Sequence, residues 1–112
     1  MKDDRLYLLH VSECIARIQE FTAGGKEAFF ADRKTQDAVL RNLHTLSESI
    51  QRVSDDLKRT HSSVQWREIA AFRNIVVHDY LGIDLHQIWD IIERDLPALG
   101  GHIEAILRGQ GS

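Results

Sequence analysis

From Leu8 onward, apolar residues return every three or four positions. Leu8, Val11, Ile15 and Ile18 show the spacing of a helix that buries one face. Asp3 and Asp4 suit the positive end of its dipole, so the pattern predicts a helix from there to Phe21, closed by Thr22-Ala23-Gly24-Gly25. A short segment, Lys26 to Asp32, carries Phe29 and Phe30 into a second and longer helix. There Val39, Leu43, Leu46, Ile50, Val53 and Leu57 step by 4-3-4-3-4, which predicts one seam from about Thr35 to Arg59. Thr60 to Ser63 reads as a loop, with Ser62 or Ser63 as N-cap of a third helix from Val64 or Gln65 to Val77. A turn through Asp79-Tyr80-Leu81-Gly82 follows. Asp84 should cap a fourth helix with Leu85, Ile88, Ile92, Leu96 and Leu99 on one face. Pro97 either kinks it or opens a last helix carrying Ile103, Ile106 and Leu107, and Gly109 to Ser112 should fray. No stretch alternates strictly, so no strand is expected. The expectation is an all-α fold, an antiparallel bundle of four to five helices in one domain over residues 1–112.

The third helix breaks the rule that the others obey. At about 100° per residue, Trp66, Ile69, Ala70, Arg73, Val77 and Tyr80 share a stripe, and Phe72, Ile75 and Val76 make a second apolar surface. Arg73 therefore stands in line with apolar residues. An arginine there calls for a partner, either a carboxylate such as Glu48 on the second helix or a phosphate from a ligand. His78 is five residues away and stacks on Arg73 only if the helix loosens toward its end. Asn74 and His78 are spaced i, i+4, so Asn74 can orient the imidazole. A bland account competes: a structural salt bridge, with a histidine capping a helix C-terminus.

Composition narrows the context. Of 112 residues, 43% are hydrophobic and 28% charged, ordinary values for a folded domain. No apolar run approaches a membrane span, and the N-terminus does not read as a signal peptide. The single Cys14 fits a reducing cytoplasm, where the protein is expected. A net charge of −3 argues against coating nucleic acid by bulk charge but leaves room for a local basic cleft. His10 with Cys14, His44 with Glu48, and His86 with Asp90 have i, i+4 spacing, yet no third ligand is predictable. No metal and no cofactor is expected.

The wording of residues 66–80, WREIAAFRNIVVHDY, resembles the core signature of the HEPN superfamily, and within it the HepT toxins of two-gene toxin–antitoxin systems. The match is an Arg, four residues, His, one residue, Tyr pattern at Arg73, His78 and Tyr80, with Asn74 in the polar position that follows the arginine. It extends to Gln36–Leu43, to Ile83-Asp84-Leu85 with Ile88-Trp89, and to Asp95-Leu96-Pro97-Ala98-Leu99. One departure is Ser47-Glu48-Ser49, where relatives usually have Gly-Glu-Ala; the two hydroxyls bear on how closely helices can pack there.

The resemblance implies a homodimer in which the Arg and His motifs of two protomers line one cleft, and metal-independent endoribonuclease cleavage of RNA. Arg73 and His78 would be catalytic, with Asn74 and Glu48 supporting them. It further implies a type VII-like system in which a minimal nucleotidyltransferase antitoxin uses ATP to place AMP on Tyr80. The residue types suit these roles. A histidine titrates near neutrality and can exchange a proton with a ribose 2′-OH or a leaving oxygen. An arginine stays charged and grips phosphate with two N–H groups. AMP on Tyr80 would add bulk and negative charge. The alternative is a non-catalytic HEPN module that binds a nucleotide or the partner, with Arg73 as a phosphate clamp.

Overall fold

Helix α1 (Lys2–Phe21) buries Leu8, Val11, Ile15 and Ile18, the four residues that its periodicity selects. It lies along two other helices, α3 (Arg33–Arg52) and α8 (Leu96–Gln110). It ends where the Thr22 hydroxyl donates to the Ile18 carbonyl at 2.7 Å and Gly25 adopts φ 94°, a left-handed conformation that favours glycine. The short α2 (Lys26–Ala31) drives Phe29 into the core. The computed structural model describes residues 2–77 and 84–110, and among them every regular element is helical, in agreement with an all-α bundle.

Asp32 caps α3, accepting from the Lys34 backbone N–H at 3.1 Å and the Thr35 hydroxyl at 2.8 Å. The Thr35 hydrogen bond is the main reason its carboxyl is held below the usual carboxylate range. Val39, Leu43, Leu46 and Ile50 are all fully buried on α3. The predicted single helix to Arg59 is two, however. The chain turns extended at Val53 (φ −65°, ψ 139°) and restarts as α4 (Asp55–Thr60).

The cause of the break is Ser54 together with Asp4, fifty residues earlier. Ser54 Oγ accepts from the Leu57 N–H at 3.2 Å, as an N-cap does. The Asp4 carboxylate, only 4% exposed, accepts from the Ser54 backbone N–H at 2.8 Å and from its hydroxyl at 2.6 Å. A buried carboxylate is tolerated because its oxygens find donors, and it also lies at the positive end of α4. Val53 and Leu57 stay buried on either side of the break, so the hydrophobic seam survives while the backbone does not run straight. Asp4→Ala should lower stability by about 2 kcal/mol, since two donors lose their acceptor, and should lower Tm by roughly 5–10 °C. Asp3→Ala, exposed one position away, is the control in a circular-dichroism melt. Equal melting of the two variants would refute the role given to Asp4.

The third helix is also split, into α5 (Trp66–Ala70) and α6 (Phe72–Val77). Gln65, rather than Ser62 or Ser63, occupies its N-cap position, with no side-chain cap. Trp66 donates its indole N–H to the His61 carbonyl at 3.0 Å, which fastens the loop to α5. Both α5 and α6 rest on α3. The predicted turn over residues 79–82 lies outside the described residues.

Asp84 caps α7 (Leu85–Asp90), accepting from the N–H groups of His86 and Gln87. A π-helical turn, Ile91–Asp95, then joins α7 to α8. This resolves the two options left open for Pro97. Proline has no N–H to donate and its ring collides with the carbonyl four residues back in an α-helix; the wider π turn ahead of it relieves that collision. Ile88, Ile92, Leu96, Leu99, Ile103 and Ile106 make one buried stripe across the junction. Gly109 and Gln110 continue α8, so the helix runs further than the expected frayed tail. Two long rods (α1, α3), the α5–α6 pair and the α7–α8 rod make the bundle expected, with the six-residue α2 and α4 as short additions.

Candidate functional site

The motif begins on α6, and the geometry of its first turn decides where Arg73 points. Ala71, between α5 and α6, has φ −70° and ψ −14°, and the Asn74 N–H bonds back three residues to the Ala71 carbonyl at 2.9 Å. Three-residue bonding advances each position by about 120° rather than 100°. The face of α6 is therefore rotated relative to a continuous helix. Phe72 takes the core position, 6% exposed, Ile75 is half-buried, and Arg73 and Asn74 are exposed. Trp66 and Ile69 are buried as the stripe requires, but Arg73 leaves it. The placement of Arg73 on an apolar face is thus corrected: Arg73 is exposed.

Glu48 is not its partner. Its carboxylate lies 3.7 Å from His44 Nδ1 on the same helix, an ion pair when that imidazole is protonated. The other salt bridge among the described residues joins Arg59 to Asp56. Arg73 thus enters no salt bridge there. Ser47 and Ser49, which flank Glu48, are both buried, and the Ser47 hydroxyl donates to the His44 carbonyl at 2.8 Å. Both serines are accommodated on the buried face of α3; for Ser47 the helix's own backbone satisfies the hydroxyl.

His78 and Tyr80 lie outside the described residues, so the structure brings together Arg73 and Asn74 and leaves the meeting of Arg73 with His78 as a sequence expectation. The i, i+4 pairs raised as metal ligands lie in differing surroundings. Cys14 is buried, and desolvation pushes its thiol pKa up, partly offset by Arg17. His10 is exposed. His86 meets the Phe30 ring edge-on at 4.8 Å between centroids. Among the described residues no three His, Cys, Asp or Glu side chains converge to hold a metal, and no helix is long and apolar enough to cross a membrane.

Comparisons with known proteins bear on the whole bundle. The sequence model of a family described as "Ribonuclease HepT-like" matches residues 11–106, which takes in the motif and all of the core helices except the first turns of α1 and the end of α8. The chain is 38% identical over 101 residues to "Probable ribonuclease HepT" of Thermococcus cleftensis, covering 89% of this chain and 92% of that one. It is 33% identical over 107 residues to a protein of Methanocaldococcus jannaschii named as a gamma-glutamylcyclotransferase and putative RNase, covering 95% of this chain and 48% of that protein. A protein of Caldanaerobacter subterraneus named as a putative RNase is 31% identical over 109 residues, 96% of this chain and 97% of its own length. No solved structure matches the chain.

Proposed function

The chain belongs to the HepT-like ribonuclease family, and from that membership we propose that it is a metal-independent endoribonuclease acting through Arg73 and His78. The observation that carries this reading is a family match running from residue 11 to residue 106, with the motif inside it. The exposure of Arg73 and Asn74 is what the reading requires, since a buried guanidinium could not reach a substrate phosphate. In the proposed step His78 takes the proton of a ribose 2′-OH, whose oxygen attacks the adjacent phosphorus, and a proton is returned to the leaving 5′ oxygen. Arg73 holds the non-bridging phosphate oxygens through the change in charge. Two proton transfers call for two titratable groups, and a homodimer supplies the second histidine across a two-fold axis. Asn74 would hold the imidazole in one tautomer.

We further propose the regulatory arrangement of a type VII-like toxin–antitoxin pair. A minimal nucleotidyltransferase partner moves AMP from ATP to the Tyr80 hydroxyl, releasing pyrophosphate. The added phosphate repels RNA from the site. Incubating the unmodified protein with RNA in EDTA tests the first part. Cleavage by the wild type and none by His78→Ala is expected; intact RNA with both proteins would overturn the nuclease reading in favour of a non-catalytic nucleotide- or partner-binding module. Intact-mass spectrometry after co-expression with a candidate nucleotidyltransferase tests the second, with one or more AMP increments expected on the wild type and none on Tyr80→Phe.

A further inference from the structure

A cleft of about 260 Å³ opens between α5 and the start of α8. Its floor is apolar, made by Ile69, Phe72 and Leu99, each at most 6% exposed. Its rim is polar, with Gln65 and Glu68 on one side and Asp95 and His102 on the other, all exposed. Neither carboxylate is in a salt bridge among the described residues. Asp95 is the last residue of the π turn, an irregularity that often accompanies a functional site. The cleft adjoins the motif through the chain itself: Phe72 lines it, and the next residue is Arg73.

We propose that this cleft is a base-binding subsite that selects guanine in the RNA substrate; the proposal rests on the nuclease reading above. A nucleobase needs an apolar seat and polar groups that meet its edge, and the cleft offers the floor of Ile69, Phe72 and Leu99, with the His102 imidazole at its rim, for the first and carboxylates for the second. The sign of the rim decides which base. A carboxylate only accepts hydrogen bonds. Guanine presents N1–H and its 2-amino group side by side, two donors that one carboxylate can take together. Adenine and cytosine present one amino donor beside a ring-nitrogen acceptor, and uracil presents its N3–H between two carbonyl oxygens, so each sets lone pairs against the carboxylate. The same negative rim disfavours a phosphate in the cleft.

Binding is measured on the full chain carrying His78→Ala, so that nothing is cleaved, by calorimetric titration with GMP, IMP, AMP, CMP and UMP. GMP should bind roughly 10- to 100-fold more tightly than UMP, the span that one well-formed bidentate base contact gives. IMP, which lacks the 2-amino group, should fall between them. Adding Glu68→Gln or Asp95→Asn should remove the preference in at least one case without altering the far-ultraviolet spectrum, since both side chains are exposed. Equal binding of all five nucleotides would overturn the subsite, as would a GMP preference that survives both substitutions. Binding of argininamide in place of GMP would overturn it too, and would mark the cleft as a seat for a basic side chain of a protein. Mapping the ends of RNA cut by the wild type separates this proposal from the one beneath it. GMP binding with no cleavage sinks the nuclease and keeps the subsite; cleavage without preference for guanosine and without GMP binding does the reverse.

Discussion

Replacing Arg73 with alanine should lower kcat/KM for RNA cleavage by roughly 10²–10³ while leaving the melting temperature almost unmoved. The first half follows from removing a fixed positive charge from the phosphate as charge develops on it, a loss of about 3–4 kcal/mol in the transition state. The second half follows from the structure. Arg73 is exposed and enters no salt bridge among the described residues, and substitutions at such positions usually stay within about 0.5 kcal/mol. Arg73→Lys separates charge from shape: it keeps the positive charge but loses the planar fork that meets two phosphate oxygens, so an intermediate rate is expected. Single-turnover cleavage in EDTA and thermal melts on the same preparations measure both halves. Wild-type cleavage by Arg73→Ala would remove Arg73 from the reaction. A large drop in Tm would instead give it a structural role.

How Arg73 comes to be exposed shows where reading the sequence holds and where it stops. Burial follows from periodicity because the hydrophobic effect acts on whichever residues share a face. Leu8, Val11, Ile15 and Ile18, the α3 seam and the stripe from Ile88 to Ile106 are all buried as expected. Backbone continuity does not follow from it. The break after Arg52 depends on Asp4 reaching Ser54 across fifty residues, a pairing that no local pattern encodes. The break at Ala71 is a single shortened turn in a run of good helix formers, with neither glycine nor proline to signal it, and it moves Arg73 from an apolar stripe to solvent. Pro97 shows the converse case, a visible signal whose outcome depends on a π turn upstream. The site was legible as residue types, Arg73 with Asn74, His78 and Tyr80, through their resemblance to a family. The cleft was not, because Glu68 on α5 and Asp95 at the end of the π turn come to line one cavity only in the folded chain.

Leu43→Ala should produce the largest loss of stability among single truncations of the α3 seam, about 3–4 kcal/mol, within the range for fully buried leucines. Leu43 is 0% exposed near the middle of α3, the helix that packs on α1, α2, α5 and α6, so truncating it leaves a cavity that the surrounding structure fills only in part. The same chemistry on the outer face of α1 is the control: Leu6 is 50% and Leu9 41% exposed, and Leu6→Ala should change stability by no more than about 0.5 kcal/mol. Denaturant unfolding would show a lower midpoint for Leu43→Ala with an unchanged slope if only the core is affected. A domain of this size has roughly 5–15 kcal/mol in total, so most Leu43→Ala molecules remain folded at 25 °C while the melt falls by roughly 10–20 °C. The consequence for function is specific. Because α6 rests on α3, softening this seam loosens the platform under Arg73, and RNA cleavage should fall at temperatures below the global melt. Cleavage that tracks only the folded fraction would show instead that α6 holds its place without the seam.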